Sequence, residues 1–163
     1  MSEAFDATKV RKAVLTVALL NFAYFFVEFF IALSAGSVSL LADSVDFLED
    51  TSINLLIFIA LGWPLARRAV MGKLMAIVIL APAAFAAWAA IQRFSAPQAP
   101  EVIPIIVASL GAVVINGASA IIISRVRQHG GSLGQAAFLS ARNDVLINIA
   151  IILMALITAW TTS

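Results

Sequence analysis

Five long apolar stretches, separated by short polar breaks, run the length of this chain. They cover approximately residues 12–33, 39–62, 72–92, 102–124 and 133–160. None shows sustained alternation of period two, so each reads as a helix. A hydrocarbon core of about 30 Å takes about 20 helical residues to cross, and each stretch is long enough to do so. Turn signals fall between them: Ser34 to Ser37, Trp63-Pro64, Ser95 to Pro100 with two prolines, and Gly130-Gly131-Ser132. The prediction is an all-α, polytopic transmembrane bundle of five crossings, residues 12–163, preceded by a cytoplasmic N-terminal tail, residues 1–11.

Composition supports that reading and removes others. Of the 163 residues 63% are apolar and 12% charged, against roughly 45–50% and about 25% in an ordinary soluble domain. Mean hydropathy is +1.05. Such a chain has too few polar groups to cover a water-facing surface. The absence of cysteine excludes disulfides, thiolate metal sites and redox motifs. A net charge of +1 gives no reason to expect nucleic acid as a partner. The first apolar run is too long for a cleavable signal peptide, and no small-residue cleavage site follows it.

Basic residues set the expected orientation. Lys9, Arg11, Lys12, Arg67, Arg68, Lys73, Arg125 and Arg127 fall on one side if the N-terminus is cytoplasmic, leaving Arg93 opposite and Arg142 within a helix. The expected location is the inner or plasma membrane.

Acidic residues carry the chemistry. Glu28, Asp43, Asp46, Glu49, Asp50 and Asp144, six of the nine acids, fall inside proposed crossings. A charged side chain near the bilayer centre costs roughly 2.5–3.5 kcal/mol on insertion scales, so each needs a partner, an ion or water. At about 100° per residue, Ser39, Asp43, Asp46, Asp50 and Asn54 fit within an arc of roughly 80° on the second helix, opposite Leu41, Val45, Leu48, Leu55 and Ile59. Ser140, Asp144 and Asn148 share a face of the fifth helix; Asn21, Tyr24 and Glu28 align on the first, and Ser109, Asn116 and Ser119 on the fourth. The third offers no such stripe and reads as a packing or lipid-facing helix.

Asp46 and Asp50, one turn apart, can both reach one cation, and Asp144 from a facing helix would complete an oxygen cage. Three acids against one intramembrane base leave an excess of negative charge that only a cation or protons neutralise. Glu49 and Arg142 read instead as a structural ion pair. Glu28 is the candidate for proton coupling. Asn21, Asn116 and Asn148 read as interhelical hydrogen-bonding groups, and His129, alone in a loop, as solvated.

At these positions the chain resembles the cation diffusion facilitator family of metal exporters. The segment Gly36 to Asp50 is similar to the opening of that family's second helix, where an Asp or His is followed four residues later by Asp. Asn21 to Glu28 and Asn116 to Arg125 also resemble their counterparts. The resemblance implies a homodimeric antiporter that exchanges a divalent transition metal for protons, with its transport site shared between helices two and five. In the family a His usually stands four residues before the fifth-helix Asp; here that residue is Ser140. A site of Asp46, Asp50, Asp144 and Ser140 has no imidazole, so zinc, iron, cobalt and manganese all stand as possible cargoes, and Asp43 or Asn143 is the candidate for the missing ligand. The family has six crossings and commonly a soluble metal-sensing domain, whereas five are expected here; either the C-terminus is truncated, the favoured explanation, or a partner supplies what the sixth helix packs against.

Other classes are weaker. Gly117-Ala-Ser-Ala120 resembles the Gly-x-Ser-Gly nucleophile of rhomboid-type intramembrane proteases, but the last glycine is replaced and Ser119 has no intramembrane histidine as base, so no enzyme is expected. A non-transporting binding or assembly subunit and a cation channel are the remaining alternatives.

Overall fold

The computed structural model describes residues 2–95, 101–128 and 131–162. The two prolines of the third connection and His129 lie outside them. Five helices account for nearly all of the described chain: α1 (Ser2–Ala35), α2 (Val38–Ala60), α3 (Leu65–Ser95), α4 (Val102–Ser124) and α5 (Gly131–Thr162). No strand occurs among the described residues. Three segments are long and apolar enough to cross a membrane: Ala7–Ala35, Val102–Ser124 and Gly134–Thr161. In α2, the four acids between Asp43 and Asp50 interrupt the apolar run.

Two helices extend beyond the apolar stretches that announce them. Helix α1 continues back to Ser2 through Lys9, Arg11 and Lys12, and α3 begins at Leu65, so Arg67 and Lys73 belong to its first turns rather than to the connection. Lys and Arg are good helix formers whose stems lie along apolar surface while their charges reach out, so hydropathy underestimates such helices.

The α1–α2 turn is tight for a local reason. Gly36 adopts φ +63°, a left-handed conformation that glycine enters without steric cost. That lets the Ser37 amide reach back to the Ala32 carbonyl at 3.0 Å, closing α1 in a Schellman-type cap. Ser37 then caps α2, its Oγ accepting from the Leu40 amide at 3.3 Å. Arg93 of α3 donates to the Gly36 carbonyl, and the Glu101 amide to Ala35 O at 3.2 Å, so the start of α4 and the end of α3 gather on this turn.

Helix α2 is central: it packs against α1, α3 and α5 and touches α4, while α4 packs on α1 and α5. Helix α3 packs mainly on α2, with Phe85 also meeting Phe29 of α1, and leaves Leu74, Ile77, Leu80 and Trp88 exposed, which agrees with its lack of a polar stripe. Small side chains allow the close α1–α4 approach. Ala108 and Ala112 are buried there, and a Cβ at Gly111 would collide with the Tyr24 hydroxyl, which instead donates to the Ala108 carbonyl at 2.6 Å.

The apolar core is split in two. One cluster gathers Ala32, Leu40, Leu41, Val45, Ala86, Ile105, Ala108 and Ala155; the other gathers Val10, Val14, Val17, Ile57, Ile123 and Ala137. The buried Asn21 and Glu28 on α1 and Asp50 and Asn54 on α2 fall between the positions contributed to the two clusters, while Asp43 sits among the α2 residues of the first. The outside is apolar, with Leu19, Phe30, Leu146 and Trp160 among many large exposed hydrophobic side chains. This inverts the usual soluble arrangement and suits lipid.

Candidate functional site

The polar layer is assembled by three helices whose registers match. On α2, residues 43, 46 and 50 are successive neighbours at spacings of three and four, so their carboxyls form one row. The structure buries Asp43 and Asp50, half-buries Asp46, and leaves Glu49 and Ser39 exposed. Helix α5 brings Asp144, which is buried, and Ser140, half-buried, against that row. Asp50 lies within interaction range of both the Ser140 hydroxyl and the Asp144 carboxyl. Asp144 also has Asp46, Asp43 and Glu49 of α2 for acidic neighbours. Helices α2 and α5 thus pack with their acid-bearing faces toward each other.

Asparagines orient the carboxylates. Asn21 of α1 donates through Nδ2 to Asp50 Oδ2 at 3.5 Å, and Asn54 of α2 donates to the Asp50 carbonyl at 2.8 Å. Asn148 of α5 donates through Nδ2 to Asp43 Oδ1 at 3.2 Å and to the Asp144 carbonyl at 3.0 Å. Asn21 and Asn148 thus act between helices, as the sequence suggests. Of Asn116, buried on α4, the Oδ1 atom finds no partner.

The supply of acceptors exceeds that of donors. Both Glu28 oxygens, Asp43 Oδ2, Asp50 Oδ1 and the Oδ1 atoms of Asn21, Asn54 and Asn148 are buried with no hydrogen-bond partner. Buried acceptors without donors are costly, about 1–3 kcal/mol each and more for charged groups. A layer so composed is suited to a positive charge.

Several residues singled out by spacing and charge take other places in the structure. Asn143 is exposed and accepts from Arg142 at 3.4 Å; one residue from Asp144 is about 100° around the helix, which turns it away from the acid row. Glu49 and Arg142 are both exposed, and no ion pair joins them among the described residues. Among the described residues, no three His, Cys, Asp or Glu side chains stand close enough to hold one metal ion as placed. The three-acid cage is not preassembled: Asp50 meets Asp144, Asp43 is engaged by Asn148, and Asp46 stands between Asp43 and Asp50. Glu28 faces Asp43 rather than Asp50. Ser119 is fully buried and its hydroxyl has no partner, an arrangement without the base a nucleophile needs.

Neither a curated protein nor a solved structure matches the chain significantly. The model of the cation efflux transmembrane domain matches residues 14–163, from within α1 through α5. The chain is an integral membrane protein that belongs to the cation efflux, or cation diffusion facilitator, family, whose members are cation transporters.

Proposed function

We propose that this protein exports a divalent metal cation in exchange for protons, binding the cation between α2 and α5 through Asp46, Asp50, Asp144 and the Ser140 hydroxyl. The observation that carries the reading is the meeting of Asp50 with Asp144 and Ser140 within a layer where acceptors outnumber donors. Without a cation Asp46 stands apart from the Asp50–Asp144 pair; a divalent ion draws it toward the pair and satisfies the free oxygens. Carboxylates bind metal only when deprotonated, so each ion that enters displaces protons and each proton that returns expels metal. Metal and protons compete for the same atoms, and alternating access of that one site to the two membrane faces gives antiport.

The ligand set is all oxygen, which suits manganese or ferrous iron better than zinc and leaves cobalt intermediate. Five crossings place the acids within the bilayer, with the N-terminus and the basic ends of α1, α3 and α4 in the cytoplasm of an inner or plasma membrane. The functional unit is a homodimer.

Purified protein in liposomes tests the reading. Manganese flux driven by a pH gradient, abolished by Asp50→Ala, is expected. Flux indifferent to the pH gradient would instead make the protein a channel, and no flux of any divalent metal would leave it a binding or assembly subunit.

A further inference from the structure

Glu28 is the most completely buried acid among the described residues, with 0% of its surface exposed, and neither of its carboxylate oxygens has a donor. It points at Asp43, 3% exposed, whose Oδ2 is equally without a partner. The third member is Asn148. Its Nδ2 is held by two acceptors, Asp43 Oδ1 and the Asp144 carbonyl, which fixes the amide orientation and leaves Oδ1 free and buried. Three helices therefore carry four buried oxygens without a donor, from two acids and one amide, and the two acids, Glu28 and Asp43, face each other. An isolated structural acid would be expected to find a hydroxyl or amide donor instead.

This group is distinct from the pair formed by Asp50 and Asp144. Asp43 precedes Asp50 by seven residues, about 10 Å along α2 at 1.5 Å per residue, toward the Gly36 turn. Asp46, three residues from one and four from the other, neighbours both. Asn148 ties them together, since one amide group bonds the side chain of the first and the backbone of the second.

We propose that Glu28, Asp43 and Asn148 form a second divalent-cation station, through which the ion passes between the α2–α5 site and the α1–α2 end of the bundle. The proposal deepens the transport reading and rests on it for the identity of the ion. Two carboxylates and an amide oxygen make a hard, all-oxygen donor set of the kind that holds manganese or calcium. Asp46 is the step between stations: it turns from Asp50 toward Asp43 without either helix moving. Glu28, expected from the sequence to carry protons, serves here as a ligand.

Manganese binding to the purified full-length protein in nanodiscs, counted by electron paramagnetic resonance or calorimetry, separates the two readings. Wild type should bind two ions per chain; Glu28→Gln and Asp43→Asn should each bind one, as should Asp50→Asn, and Glu28→Gln with Asp50→Asn should bind none. Helical content by circular dichroism confirms that each variant is folded. A single ion in wild type that survives Glu28→Gln and Asp43→Asn but disappears in Asp50→Asn overturns the second station and leaves the transport site standing. Loss with Glu28→Gln alone, with Asp50→Asn unaffected, upholds the station and overturns the α2–α5 site. Unchanged stoichiometry in Glu28→Gln with a lower melting temperature or lost proton coupling assigns Glu28 a structural or proton-carrying role, and the proposal falls.

Discussion

Asn148 of α5 donates to Asp43 of α2 at 3.2 Å, and the same amide nitrogen donates to the Asp144 carbonyl at 3.0 Å. One side chain thus couples the acid row of one helix to the acid of another. Replacing it, Asn148→Ala, strips Asp43 Oδ1 of its donor inside a buried layer. The expected cost is about 1–3 kcal/mol, read as a lower midpoint of thermal unfolding in detergent, with metal affinity reduced at the same time. Unchanged stability would mean that water or another donor takes over at Asp43.

The Tyr24–Gly111 contact sets how closely α1 and α4 approach. Gly111→Ala places a methyl group against the Tyr24 hydroxyl and ring; overpacking of this kind costs typically about 1–3 kcal/mol. Tyr24→Phe removes the bond to Ala108, at about 1 kcal/mol. The hydroxyl is the first atom the new methyl meets, so the double variant should lose less than the sum of the two singles. Strict additivity in a double-mutant cycle would contradict the contact.

Ser140 stands where the family usually has histidine, and it lies beside Asp50. Ser140→His introduces a nitrogen ligand that zinc favours and manganese does not need. Competition binding should show zinc gaining on manganese by about tenfold or more, an energy difference of about 1.4 kcal/mol. An unaltered preference would place residue 140 outside the coordination sphere.

Competition between metal and protons fixes the sign of the pH dependence. Acidification protonates carboxylate oxygens that the ion needs, so apparent metal affinity falls as pH falls. Asp144→Asn removes one competing group and should flatten the dependence as well as weaken binding. A titration of manganese affinity against pH checks both, and an affinity that rises on acidification would contradict the mechanism.

The helices are plain in the sequence because hydropathy reports burial in lipid directly. Residues 102–124 and α4 coincide, and the acid-bearing stretch 39–62 differs from α2 by a residue or two. Helix α1 starts ten residues before its apolar stretch and α3 seven, because charged turns outside an apolar run carry no hydropathy signal while still favouring helix. The face of each helix is equally accessible: residues 43, 46 and 50 share a stripe by geometry alone.

What periodicity cannot supply is the register between helices. That Glu28 meets Asp43, that Asn148 spans Asp43 and the Asp144 backbone, and that Asn143 turns outward all depend on how far one helix slides along another. The Schellman turn at Gly36 fixes that offset for α1 and α2, and its Gly-Ser signature is visible in the sequence. For α2 and α5, which are far apart in sequence, no local signal exists. Asn21, Asn116 and Asn148 read from spacing as interhelical hydrogen-bonding groups, but only the contacts reveal that two of them, Asn21 and Asn148, bond carboxylates.

The central claim is that Asp50 and Asp144, from separate helices, share one cation. The chain contains no cysteine, so thiols can be placed at these two positions without background. With Asp50→Cys and Asp144→Cys together, cadmium should bridge the two sulfurs and protect both from maleimide, while each single variant stays reactive. Equal labelling of the double and single variants in the presence of cadmium would contradict the account.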